Sequence, residues 1–277
     1  MSTLSLADPV GRGAPNREDD VVAYQTFAQS YADAWGKPSV HPGRVDGVAG
    51  GMVRASIENL QRLVNGGRQL DGRIDPGGFT ERAANRHAAI ADRALEWIYP
   101  FDGPADRSYT DGSMRTFNAR RGRYRAHAGT DHWTRVGRPI YAIEPGTVIR
   151  VADFYLDTCA VEIEHEGGGI ARYGEVDCTA HLTKGNTVRA GDTMGHVGQM
   201  RYADGTPFMI DGEAIAMLHF AYFAGLRTGA LTQTRRSRSS VAPSGRAHYR
   251  RRDLVDVTRL LRRAPYPTQD TRSPHHA

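Results

Sequence analysis

The spacing of apolar residues changes once along this chain, and that change limits it to a two-part α+β fold. In the first part Val21, Tyr24, Ala28 and Tyr31 fall at helical intervals, which predicts an amphipathic helix over residues 18–34. Val53, Ile57, Leu60 and Val64 repeat the pattern over 52–64, and a third helical stretch runs from Phe79 to Leu95. Two similar turns, Val45-Asp46-Gly47 and Leu70-Asp71-Gly72, lie between and after these helices; glycine supplies the positive φ that such turns need. From about residue 110 apolar residues fall instead in short β-rich runs: Pro139–Ile143, Val148–Val151, Cys159–His165, Ile170–Val176 and Met217–Phe223. With Gly and Pro between them, these predict an antiparallel β domain. The expected division is a small helical domain over 1–100, a linker over 101–110, an antiparallel β-sheet domain over 111–228, and an Arg-rich basic C-terminal tail over 229–277. Leu254, Val257, Leu260 and Leu261 predict a short amphipathic helix in that tail.

Charge is uneven. The formal net charge is +5, yet the chain from Leu226 onward holds twelve Arg, no Lys and three acids, a net of +9. The basic balance is therefore a property of the tail, which reads first as a solvated segment. Anionic wall polymers, nucleic acid, a membrane surface or an acidic partner would each suit its charge. No nucleic-acid recognition motif and no aromatic-basic interleaving accompany it, so no specific nucleic-acid role is expected. No apolar run approaches the roughly 20 residues of a membrane span, and the N-terminus lacks the basic start and apolar stretch of a secretory signal.

Two cysteines, Cys159 and Cys178, are too few for a disulfide framework and lack the spacing of a structural zinc site. Gly167–Gly169 should form a hairpin between two strands. A turn centred on Gly168 would place the two cysteines nearly opposite one another, so one bridge and two reduced thiols are both open.

Two motifs carry chemistry. In His127-Ala-Gly-Thr-Asp131 a His and an Asp four residues apart, with a Gly between, can face one ion from a turn. In Met217-Leu-His219-Phe-Ala-Tyr-Phe alternate residues share a face, so Met217, His219 and Ala221 point together. Neutral imidazole nitrogen plus carboxylate oxygen suits zinc, and a catalytic site needs three such ligands with one position left open. Tyr141, Tyr173 and Tyr222 read as packing residues, His132 as a neighbour of the metal, His165 as a surface residue and His196 as structural.

The run HAGTDHWTRVGRPIYAIEPGTVIRV, then VEIEHEGGGIARYGEV, TVRAGDTMGHVG and MLHF, resembles the lysostaphin-type (LytM-like) zinc endopeptidases over about residues 120–225. The resemblance implies a small antiparallel sheet with one zinc ion in a groove, held by His127, Asp131 and His219, and cleavage of peptide bonds in bacterial walls. Two positions depart from the family. Met217 stands where a His usually precedes the last ligand by two residues. Glu175, in Arg172-Tyr173-Gly174-Glu175-Val176, takes the place of another His. His181, in Thr-Ala-His-Leu, imitates the family phrase but lies too close to Val188-Arg-Ala-Gly-Asp192. Glu175 is thus the candidate catalytic residue, accepting the proton of the attacking water and passing it to the leaving amine. Its competing reading is a solvated carboxylate or an ion pair with Arg172.

Upstream, GAPNREDDVVAYQ, the Val-Asp-Gly turn, NLQRLV and DGRIDPGGFTERAAN resemble a small helical peptidoglycan-binding-type domain over about residues 8–86. Together the two resemblances imply a zinc endopeptidase acting on peptidoglycan cross-links or stems. The arrangement looks similar to type VI secretion wall-hydrolase effectors. These are made in the cytoplasm without a signal peptide, act in a target cell's periplasm, and imply a cognate immunity protein and a secretion-apparatus partner. Alternatives are a phage-type endolysin, or a catalytically inactive zinc or wall-binding module of the same fold.

Overall fold

The fold was analysed as a computed structural model, which describes residues 1–268 apart from Gln69, Ala180, His181 and Asp211. The chain forms two compact units. One comprises Met1–Ala94, Arg123–Ala126 and Ala224–Leu260; the other comprises Leu95–Gly122, His127–Phe223 and the chain from Leu261 on.

Three helices dominate the first unit: α1 (Glu18–Trp35), α2 (Gly51–Val64) and α3 (Phe79–Arg93). Each lies within a few residues of the span that periodicity predicts. Tyr24, Phe27, Tyr31 and Trp35 form the buried stripe of α1; Val53, Ile57, Leu60 and Val64 form that of α2. The α3 face is built of alanines, Ile90 and His87, which lets the aromatics of α1 approach. His87 is a core residue, bonded to the Tyr31 hydroxyl at 2.9 Å. Burial pulls its pKa down to about 3, so it stays neutral.

The two Asp-Gly turns are held by one repeated device. Gln25 of α1 donates to Asp46 Oδ1 at 2.9 Å and accepts from the Asp46 and Gly47 amides at 3.0 Å each. Gln61 of α2 donates to Asp71 Oδ1 at 2.6 Å and accepts from the Gly72 amide at 3.0 Å. Each Asp also caps the amide two residues on, Val48 or Arg73. Gly47 and Gly72 both sit at φ above +70°, a region a side chain would strain.

Residues Ala224–Leu260, where the sequence suggests an appended tail, group with these helices. The Val241 amide donates to the Gly66 carbonyl at the end of α2 at 2.9 Å, and Lys37 pairs with Asp256 at 2.8 Å. Buried Arg251 holds Asp253 at 2.7 and 3.0 Å. The predicted tail helix shrinks to one turn, Thr258–Leu261, after a two-residue strand, Leu254–Val255. Asp253 satisfies the Arg251 guanidinium and the Leu226 amide there, which holds the chain extended.

The second unit is built on an antiparallel sheet. Its strands are β1 (Thr130–Thr134), β2 (Pro139–Tyr141), β3 (Gly146–Asp153), β4 (Cys159–His165), β5 (Ile170–Val176), β6 (Thr187–Val188), β7 (Thr193–His196) and β8 (Ala216–Phe223). The main sheet runs β6-β3-β4-β5-β8, with β1 paired to the other edge of β8, and β2 pairs with β7. β4 and β5 have the predicted limits and are joined through Gly167–Gly169, with Glu164 opposite Ile170. Cys159 and Cys178 are bridged, their Cα atoms 5.1 Å apart. The segment expected as a linker at 101–110 groups with the sheet; Phe101 and Tyr109 are buried. Among the described residues no helix is long and apolar enough to cross a membrane.

The Gln clamps predict a measurable asymmetry between two amide side chains of α2. Gln61→Ala leaves a buried turn without its donor and acceptor and should cost about 2 kcal/mol. Asn59→Ala removes one exposed bond to Ser39 and should cost less than about 0.5 kcal/mol. Urea denaturation followed by far-UV circular dichroism measures both.

Candidate metal centre

Register brings the site together. On β8, His219 lies opposite Asp131 of β1 on one side and Gly174 of β5 on the other. Paired residues of neighbouring strands share a face, so the Asp131 carboxylate and the His219 ring emerge side by side. His127 precedes β1 by a short turn. Its amide donates to the Ala119 carbonyl at 2.8 Å, and its carbonyl accepts from Asn118 at 3.1 Å. The Asp131 amide donates to the Arg115 carbonyl at 3.0 Å. The 115–119 loop thereby fixes the backbone of both motif ends.

The geometry is tight. His127 Nε2 lies 2.9 Å from Asp131 Oδ1, His219 Nδ1 lies 2.8 Å from the same oxygen, and the two nitrogens are 3.2 Å apart. Ligand atoms about 2.1 Å from a tetrahedral zinc stand roughly 3.4 Å from one another, so this triangle already approximates one face of such a site. His127 Nδ1 donates to the Thr116 carbonyl at 2.8 Å. That bond keeps the proton on Nδ1 and leaves the Nε2 lone pair directed at the triangle, as a metal-binding imidazole requires. Arg121 holds the second oxygen, Asp131 Oδ2. Burial pushes the Asp131 carboxyl upward, but the hydrogen bonds of His127 and His219 outweigh it and hold the group well below the usual carboxylate range. All three side chains are at least nine-tenths buried.

Two glycines allow this approach. A Cβ on Gly129 would lie 2.3 Å from the Phe220 carbonyl oxygen and 3.0 Å from the His219 ring. A Cβ on Gly174 would lie 2.5 Å from the Phe154 ring. Phe154 packs 5.6 Å from the His219 ring and walls one side of the site with apolar surface.

Glu175 lies at a register shift. Cys159 pairs with Val176 and Ala160 pairs with Gly174, which leaves Glu175 as the extra residue of a bulge. Its φ of 63° is rare for a residue with a side chain. The bulge is pinned by the Gly198 amide, which donates to the Glu175 carbonyl at 2.8 Å. Bulges re-aim side chains beside functional sites. Glu175 is 6% exposed, and its Oε2 is buried without a hydrogen-bond partner among the described residues. Burial raises its pKa well above the ordinary value; Asp131 raises it further and Arg121 opposes. The carboxylate therefore lies within electrostatic reach of the triangle. The competing pairing falls to a different acid: Arg172 is bonded to Glu162 at 2.6 and 3.0 Å.

Other candidates separate from the site. His132 is fully buried and bonded to the Tyr99 hydroxyl at 2.7 Å and to Thr130 Oγ1 at 2.8 Å. Burial takes its pKa down to about 3, and it packs against Tyr109 with ring centroids 4.0 Å apart. Strand alternation turns it away from Asp131. His165, expected at the surface, is buried; its Nδ1 donates to the Pro145 carbonyl at 3.0 Å. His196 is an exposed residue of β7. Met217 packs with Met200 and Ile215, near Trp133, and offers no proton chemistry. Tyr173 accepts from the Ile143 amide at 3.0 Å, Tyr222 donates to Glu144 at 2.7 Å, and Tyr141 is buried. His181, His275 and His276 lie outside the described residues. Thr116, Arg121 and Phe154 complete the site without any signal in the sequence, because their roles depend on loops that fold against it.

A buried His–Asp–His triangle on an antiparallel sheet defines a candidate metal-binding β domain. Residues 125–222, which contain all three of these residues, match the model of Peptidase family M23. No curated protein matches the chain. Among solved structures, a zinc-containing peptidase from Vibrio cholerae is 26% identical, with 46% of this chain and 37% of that one covered and a TM-score of 0.33. A structure described as a peptidase M23 from Pseudomonas aeruginosa is 19% identical, with 49% and 54% covered and a TM-score of 0.32. Lysostaphin from Staphylococcus simulans is 17% identical, with 56% and 54% covered and a TM-score of 0.33. The chain thus spans about half or less of each of these.

The Gly129 contact yields a test. Gly129→Ala forces the His219 ring or the Phe220 backbone to move and should weaken metal affinity at least about tenfold. Competition with a chromophoric zinc chelator measures it, and a conserved affinity would show that the turn yields without disturbing the triangle.

Proposed function

We propose that this protein is a zinc-dependent endopeptidase that cuts peptide cross-links or stems of bacterial peptidoglycan. The observation that carries the reading is the triangle itself: two imidazole nitrogens around one carboxylate oxygen, preorganised by Thr116 and Arg121, inside a stretch that matches a peptidase family. The donor set fits zinc in kind and in spacing. His127, Asp131 and His219 would hold one ion. A zinc ion held there would supply Lewis acidity at the substrate carbonyl.

The remaining work belongs to the chain's own residues. Glu175 accepts the proton of the attacking water and returns it to the departing amine. The ionised carboxylate is the form that accepts the water proton, and the protonated form it becomes is the one that gives that proton to the amine. Phe154 keeps one flank dry, which strengthens each charge interaction within. Arg121 fixes Asp131 through Oδ2, so Oδ1 keeps one direction.

The helical unit is read as a wall-binding module. It would raise the local concentration of the peptidase on an insoluble polymer. The setting we propose is a target cell's periplasm, reached as an antibacterial effector of a type VI apparatus and countered by a cognate immunity protein. The Cys159–Cys178 bridge supports an oxidising compartment.

Glu175→Gln tests the mechanism. It should keep one zinc per chain by elemental analysis while lowering peptide release from purified sacculi by about 10²-fold or more. Unchanged turnover with zinc bound would remove Glu175 from the mechanism. Zinc bound with no peptide released by the wild-type chain would instead favour a binding module. Toxicity restricted to periplasmic export, and suppressed by a protein encoded beside it, would support the effector setting over a lysin.

A further inference from the structure

Three arginines gather where α2 ends and α3 begins. Arg68 follows the last turn of α2. The Arg252 backbone passes so close to Gly66 that a Cβ there would lie 2.4 Å from the Arg252 carbonyl oxygen. The Arg227 guanidinium stands 4.7 Å from the ring centroid of Phe79, the first residue of α3. All three side chains are half-buried. Among the described residues none has an acidic partner, whereas the buried arginines do: Arg138 has Asp102, Arg172 has Glu162 and Arg251 has Asp253.

Their orientation is fixed by backbone rather than by counter-charge. Arg68 Nη2 donates to the Arg236 carbonyl at 3.0 Å, and Arg252 Nη2 donates to the next carbonyl, that of Ser237. Two guanidiniums are thus tethered to adjacent peptide groups. The Nε–H of Arg68 and that of Arg252 are both shielded from solvent and have no acceptor among the described residues. Burial first, then the nearby charges of Arg68 and Arg227, lower the pKa of Arg252. Like charges held together with desolvated donors cost free energy that an isolated fold would relax by splaying the side chains.

We propose that Arg68, Arg227 and Arg252 form an oxyanion-binding site that takes a phosphate group. A carboxylate has two oxygens and is satisfied by one guanidinium fork. A phosphate offers three or more oxygens in a tetrahedral array and can be shared among several forks. The Phe79 ring packs against Arg227, with the guanidinium carbon 4.7 Å from the ring centroid. The site lies in the helical unit and owes nothing to the metal triangle, so it stands or falls separately from the peptidase reading.

Calorimetric titration of the full chain at constant ionic strength tests this with inorganic phosphate, glycerol phosphate and acetate as probes. Saturable binding of phosphate and of its monoester, one per chain, is expected, with acetate silent. Arg227→Gln should weaken it about tenfold or more, with a native far-UV circular dichroism spectrum as the control for folding. Arg227→Lys retains the charge but loses the planar fork and should still weaken binding several-fold. Arg252→Gln should act like Arg227→Gln, provided its far-UV spectrum is native. The exposed Arg263→Gln should leave binding unchanged, and zinc content should be the same in every variant. Acetate binding as tightly as phosphate, or equal losses in the Arg263 and Arg227 variants, would overturn the site.

Discussion

Everything in the β unit that bears on chemistry depends on one carboxylate being shared. Asp131 Oδ1 takes His127 and His219 at 2.9 and 2.8 Å while Oδ2 is held by Arg121. Burying an anion is costly unless it is compensated, and here the compensation comes from three separate pieces of chain. β8 brings His219, the turn before β1 brings His127, and the 115–122 loop brings Arg121. A slip of one residue between β1 and β8 would turn His219 or Asp131 to the other face. The register is held by the apolar side, where Leu218 and Phe220 are buried, and by His132, which occupies the back of β1 as a neutral, twice-bonded core residue.

That division of labour explains which parts of the site were legible in the sequence. His127, Asp131 and His219 announce themselves through local spacing and strand alternation, and the predicted limits of β4 and β5 are those observed. The assignment of Glu175 came from a family position; simple alternation would have turned it away from Gly174 and the metal face. The structure supplies the missing step, since one extra residue between the Cys159 and Ala160 pairings breaks the alternation. Thr116, Arg121 and Phe154 stayed invisible because each contributes through a long-range contact made by an irregular loop. His132 and His165 were misjudged for a related reason: the partners that bury them, Tyr99 and the Pro145 carbonyl, are distant in sequence.

The helical unit shows the same contrast. The three helices follow from periodicity, and the two Asp-Gly turns from glycine chemistry. The use of Gln25 and Gln61 as matched clamps does not, because a glutamine in a helix carries no mark of what its amide will reach. The arginines after Leu226 were legible as charge but not as structure. Composition suggests a solvated tail, whereas Arg251–Asp253 and Lys37–Asp256 tie that segment into the unit.

The bulge at Glu175 sets a second acid within the field of Asp131. A neutral imidazole can sit beside a metal-bound carboxylate without electrostatic cost. A second carboxylate cannot: burial raises Glu175 first, and the Asp131 charge raises it further. Arg121 answers to both acids: it binds Asp131 and lowers the cost of Glu175. One guanidinium thereby offsets the charge of two buried carboxylates. The Gly198 amide, which donates to the Glu175 carbonyl at 2.8 Å, holds the bulge on which this balance of charge rests.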